Sequence, residues 1–109
     1  MAEVLKVLAQ LNPAATTLTA LYTVPALTSA TVSTLAVCNR SASSVTFRTS
    51  VAVAGAADDV KQYLFYDVVL TKNSTFTATI GVTLGAADVV RVYASTTGLS
   101  FSLFGVEVS

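Results

Sequence analysis

From Thr31 to Ser109 the chain is a succession of short β-branched runs separated by clusters of Gly, Asp, Asn and Ser. This rhythm, with a run roughly every 10 to 15 residues, is that of an all-β sandwich or barrel. The clearest run is Val45 to Val53, where Val45, Phe47, Val51 and Val53 share one face and Thr46, Arg48, Ser50 and Ala52 the other. A second run alternates Phe76, Ala78, Ile80 and Val82 with Thr75, Thr77, Thr79 and Thr83 around Gly81, so its outward face is a ladder of hydroxyls without charge. No segment between these runs is long enough for the helix of a βαβ unit, which leaves antiparallel pairing through hairpins and Greek-key links.

Three runs, Val32 to Cys38, Tyr63 to Leu70 and Val89 to Ala94, are apolar on both faces, which suits central strands covered on both sides or strands at a subunit contact. In the last run, Leu99 to Val108, the apolar side switches from Leu99, Phe101 and Leu103 to Phe104, Val106 and Val108; a bulge or bend near Gly105 is expected there. Turns are expected at Asn39 to Ser44, Gly55 to Asp59, Lys72 to Ser74, Gly85 to Asp88 and Ser95 to Gly98. Leu18 to Val24 reads as extended and is closed by Pro25. Val4, Leu5, Val7, Leu8 and Leu11 match a helical face, but the stretch stops at Asn12-Pro13, so strand is the better reading.

The expected fold is therefore a single antiparallel β-sandwich of about eight strands, Greek-key or jelly-roll-like. Residues 1–12 form an N-terminal strand or arm, and residues 13–109 the sandwich domain.

Charge is scarce. Charged residues make up 11% of the chain, against about 25% in an ordinary globular protein, a shortfall of about fifteen. Sixteen Thr and 11 Ser take their place. Such a surface is wetted by water yet is easily covered, because a hydroxyl costs far less to desolvate than an ion. Six bases balance six acids, so no field steers nucleic acid or an anionic membrane to the chain, and neither is expected as a partner.

The chemistry of side chains is thin as well. The chain has no His and one cysteine, Cys38, which its strand-like setting marks as a small buried hydrophobe. A hydrolytic triad needs a base within reach of a nucleophile, and only Lys or a carboxylate could serve. A structural zinc site takes four Cys or His ligands, and the five glycines are too scattered for a phosphate-binding loop. Asp58 and Asp59 are too few for a calcium cage and read as solvated loop charge. No catalytic residue, metal ligand or cofactor is assigned. Asp67, inside an apolar run, calls for a structural ion pair with Arg48 or Arg91. Asn39-Arg40-Ser41 and Asn73-Ser74-Thr75 match the glycosylation pattern, which is common by chance. Met1 to Leu11 holds no apolar run long enough for a signal peptide or a membrane span.

Two segments, Leu21-Tyr22-Thr23-Val24-Pro25 and Ser33 to Arg40, resemble the opening of a group of small tailed-bacteriophage virion proteins. Phe47, Lys61-Gln62-Tyr63, Tyr66-Asp67, Thr79-Ile80-Gly81, Asp88 to Val92 and Phe101 to Glu107 are similar to the rest of that pattern. The resemblance covers nearly the whole chain and brings strand and turn signatures, with no catalytic residues. It implies a β-sandwich virion component assembled in the host cytoplasm, either a capsid decoration (cement) protein or a small tail or neck subunit. Its expected partners are itself, as a homotrimer, and the major capsid or tail protein; a small-molecule ligand is not expected. The candidate interface is Val4, Leu5, Val7, Leu8 and Leu11. The rival reading is a tail-tip carbohydrate- or receptor-binding module that uses Tyr22, Tyr63, Tyr66 and Tyr93 as an aromatic platform.

Overall fold

A computed structural model describes residues 2–109. Eight strands follow one another: β1 (Glu3–Leu11), β2 (Thr19–Thr23), β3 (Ser29–Asn39), β4 (Val45–Ala52), β5 (Tyr63–Leu70), β6 (Thr75–Leu84), β7 (Val89–Ala94) and β8 (Leu99–Val108). They form two four-stranded antiparallel sheets, sheet A in the order β1-β8-β3-β6 and sheet B in the order β2-β7-β4-β5. First pairs with last, second with seventh, third with sixth and fourth with fifth. That nesting is the jelly roll, one long hairpin rolled into a sandwich. The two ends of the chain meet, as Ala2 N donates to Ser109 O at 2.7 Å and Ser109 N to Ala2 O at 3.0 Å.

The inward residues of both sheets make one core. Phe47 of β4, fully buried, lies 5.2 Å from Phe76 of β6 and 6.1 Å from Phe101 of β8, ring centre to ring centre, and so ties sheet B to sheet A. Burying such a side chain contributes about 2–3 kcal/mol, with a smaller gain from each tilted or edge-on aromatic pair. The accessible surface is 5616 Å², close to the roughly 5,700 Å² expected from mass alone.

The expected bend near Gly105 takes a different form. β8 itself alternates without interruption, with Leu99, Phe101, Leu103 and Gly105 inward. The extra residues sit on its neighbours: β1 gains Leu8 between Val7 and Ala9, and β3 gains Ser33 between Val32 and Thr34. β6 in turn gains one residue against β3, at Ile80-Gly81. Gly105 is where β3 comes close: a Cβ there would stand 2.0 Å from the carbonyl oxygen of Thr31. The glycine admits the neighbouring backbone instead of bending its own strand.

Three other expectations need correction. β5 is apolar on both faces yet is an edge strand, with Leu64, Tyr66 and Val69 exposed, so it is not a central strand. β4 stops at Ala52, and Val53, expected on its core face, is 70% exposed in a 3-10 turn where Ala54 takes φ 53°. That turn and a second one, Val60–Gln62, fold back over the outside of sheet B. Arg91 on that face donates to Gly55 O at 3.2 Å, and Ser50 and Ala52, outward by alternation, are fully buried. Cys38 is not a core residue. It lies opposite Thr75 and Ser100 on the outer face of sheet A, half-buried.

Candidate functional site

Polar and aromatic side chains converge in one place, on the outer face of sheet B. The cause is local. Between Phe47↔Val68 and Thr49↔Phe65, β5 carries one residue more than β4, and Asp67 absorbs it at φ 50°. A bulge re-aims side chains, and here Tyr66 and Asp67 both come to lie beside Arg48. The Arg48 guanidinium stacks 4.2 Å from the Tyr66 ring centre and 4.4 Å from that of Tyr93. Its Nε donates to Asp67 Oδ1 at 2.6 Å and its Nη2 to Oδ2 at 3.3 Å. The hydrogen bond to Asp67 pushes the Arg48 pKa further up, so the group is a permanent cation.

Tyr63 extends the cluster. Its ring meets Tyr66 edge-on at 5.0 Å, and its hydroxyl donates to Asp58 at 3.0 Å. Burial, then that hydrogen bond, raises the Tyr63 pKa. Asp59 is occupied differently, accepting from Lys61 N at 3.2 Å to cap the second 3-10 turn, while Gln62 Oε1 accepts from Asp59 N. Arg48, Asp58, Asp59, Val60, Tyr63 and Tyr66 line an open groove of about 390 Å³. Of the four tyrosines expected on one platform, three are here. Tyr22 is not, because β2 turns it inward, where it is 8% exposed and its hydroxyl donates to Glu107 Oε2 at 2.5 Å. Of the two cations considered for Asp67, Arg48 makes the pair, and Arg91 is held by Gly55 O.

Glu107 is a clasp between the sheets. It takes the Tyr22 hydroxyl from sheet B and Lys6 Nζ of β1 at 3.2 Å. Both favour the carboxylate, Tyr22 more than Lys6, and hold its pKa below the ordinary glutamate value. Burial is the leading cause that raises the Tyr22 pKa, beyond the ordinary tyrosine range.

The outer face of sheet A is of another kind. Across the ladder, Thr75, Thr77, Thr79 and Thr83 of β6 lie beside Cys38, Ala36, Thr34 and Thr31 of β3, and those beside Ser100, Ser102, Phe104 and Val106 of β8. At the β1 edge, Leu5 pairs with Val106 and Val7 with Phe104. Glu3, opposite Val108, is the one charged side chain among the outward strand residues. Arg40 stands just past the end of β3, its Nε donating to Ser100 Oγ at 2.8 Å.

Of the five candidate interface residues, Val4, Leu5 and Val7 are 51%, 79% and 47% exposed. Leu8 is a core residue, and Leu11 is half-buried. The β1 bulge sends Leu8 inward, and Leu11 packs against the core. Sequence reasoning missed Phe104, Val106 and Val108, which widen the same apolar strip. The switch of apolar side in β8 was their signal.

Asn39, in one of the two glycosylation triplets, is 1% exposed and cannot take a glycan in the folded chain. Its Nδ2 is shared by the carbonyls of Ser43, Leu70 and Thr71 at 2.9, 3.1 and 3.0 Å, and its Oδ1 accepts from Ser41. It pins two loops together. Among the described residues no group of three or more Cys, Asp or Glu is placed to hold a metal ion.

Fold and surfaces together define a jelly-roll sandwich with two unlike outer faces, one nearly free of charge and one carrying an aromatic and ionic cluster. No family model matches the chain, and no curated protein matches it.

Proposed function

We propose that the protein is a non-enzymatic bacteriophage virion component, a capsid decoration or cement protein that strengthens a shell by packing on its neighbours. The observation that carries this reading is the outer face of sheet A, where one charged residue, Glu3, stands among hydroxyls and small apolar groups. A face of that make-up is cheap to desolvate and gains by being covered. The jelly roll is a frequent architecture of viral capsid domains, a supporting argument by analogy of fold. The likeness of the strand and turn segments to small phage virion proteins points the same way, and a tail or neck position would use the same surface.

The test is made on particles. Virions purified from a lysate carrying this gene, analysed by mass spectrometry and image reconstruction, are expected to hold the chain in stoichiometric copy number on the head surface. Virions free of it overturn the reading. Density at the tail or neck moves the protein there. The Tyr63, Tyr66 and Arg48 groove supports a second reading, carbohydrate binding at a tail tip, since aromatic faces beside carboxylates suit sugars. Glycan-array binding that vanishes in a folded Tyr66→Ala variant would favour it over the first.

A further inference from the structure

The four sheet edges are not equally protected. An exposed edge invites another strand unless it is short, bulged, charged or closed by proline. β2 has 5 residues, an irregularity after Ala20 and Pro25 soon beyond it. β5 is broken by two register shifts and Asp67. β6 shifts at Ile80-Gly81 and lines its outer face with threonine. β1 is different. From Glu3 to Val7 its pairing with β8 is regular, and its one cation in this stretch, Lys6, is already neutralised by Glu107.

The phase of the ladder fixes which groups are free. Ala2 and Ser109 exchange both of their hydrogen bonds. Hydrogen-bonded and non-bonded pairs alternate along an antiparallel ladder, so Val4 with Glu107 and Lys6 with Gly105 are the next bonded pairs. The N–H and C=O groups of Glu3, Leu5 and Val7 therefore point away from β8 to the free edge. These residues also put their side chains on the outer face, where Leu5 and Val7 adjoin Val106 and Phe104.

We propose that the chain forms a two-fold dimer through antiparallel pairing of β1 with β1 of a second copy, centred on Leu5. In that register Leu5 faces its own mate and Glu3 faces Val7 on either side. The free donors and acceptors then satisfy one another, as an isologous contact requires. The two A sheets become one continuous sheet, and the apolar strips on their outer faces join across the axis. The two Glu3 side chains are kept apart by about 13 Å of strand, beyond the screening length in ordinary salt. Chains of zero net charge do not repel each other. This contact rests on the assembly role proposed above and names the partner at one surface; it replaces the threefold arrangement expected from sequence with a two-fold one.

A single short strand buries less than the about 800 Å² per partner of a standard interface, so the dimer is expected to dissociate in the micromolar range. Sedimentation velocity on the purified chain should show a reversible monomer–dimer equilibrium. Leu5→Lys, which sets two cations face to face, should weaken it at least tenfold with an unchanged circular dichroism spectrum. In a Cys38→Ser background, Leu5→Cys should oxidise to a disulfide-linked dimer, because Cα atoms of a bonded pair lie about 5.5 Å apart, within disulfide range. Thr77→Cys on β6 should not. A chain that is monomeric at every concentration, or an oligomer indifferent to Leu5→Lys, overturns the proposal, as does an oligomer in which Leu5→Cys stays reduced. No virion is needed for these measurements, so they stand or fall apart from the location of the protein on a particle.

Discussion

Gly105 and Gly81 both lie in strands of sheet A, and replacing each by alanine should move stability in opposite directions. At Gly105 the added Cβ would stand 2.0 Å from Thr31 O, 3.0 Å from Thr31 C and 3.1 Å from Leu8 Cδ1. Ordinary carbon–oxygen contacts are about 3.3 Å or longer, so the two central strands must part by about 1.3 Å. Two obstructing atoms are backbone in a paired strand and cannot swing aside, which places the cost near the top of the usual overpacking range, about 3 kcal/mol. Alanine also stiffens the unfolded chain and returns about 0.4–1 kcal/mol. The net loss is about 2–3 kcal/mol. With an unfolding entropy of about 2.1 cal/mol/K per residue, Tm falls by about 9 to 13 °C. At Gly81 a Cβ meets nothing within 4 Å, so only the unfolded-state gain remains, and Tm rises by about 2 to 4 °C. Thermal and urea unfolding followed by circular dichroism measure both. A Gly105→Ala protein that melts within about 3 °C of the parent would refute the argument that β3 occupies the space of that side chain.

The Glu107 clasp gives a pH dependence. Because its folded pKa lies below the ordinary 4.5, the clasp contributes in full above that pH and is lost as pH falls through the lowered folded value. In urea titrations Glu107→Gln should be less stable than the parent at neutral pH and should converge with it in acid; a gap that is constant down to pH 3 would remove the clasp. Asn39→Ala strips three carbonyls of a buried donor and should cost about 2–3 kcal/mol. Its urea midpoint should fall accordingly at unchanged m-value.

Much of this architecture was legible in the residues, because period-two alternation is local. β5, β7 and β8 begin and end where their apolar runs do. What could not be read is set by partners distant in sequence. The runs of β5 and β7 look alike, yet one is an edge and the other interior, since sheet order depends on which strands meet. The switch of apolar side in β8 was visible, but what it marks, an apolar strip on the outer face shared with β1, depends on which strand lies beside it. At the Arg48 cluster, Asp67 stood out as an acid in an apolar run, whereas the bulge that brings Tyr66 to the same cation depends on a register with β4. Tyr22 misled because a tyrosine in a strand reads alike whether its hydroxyl meets water or a half-buried carboxylate.

The meeting of Ala2 with Ser109 has a mechanical consequence. A force drawn between the two ends of this chain would act on neighbouring antiparallel strands at their adjoining tips. Hydrogen bonds that lie across the strands would then be opened one after another, like a zipper, instead of resisting together. Pulled from Ala2 and Ser109, the β1–β8 ladder yields one bonded pair at a time.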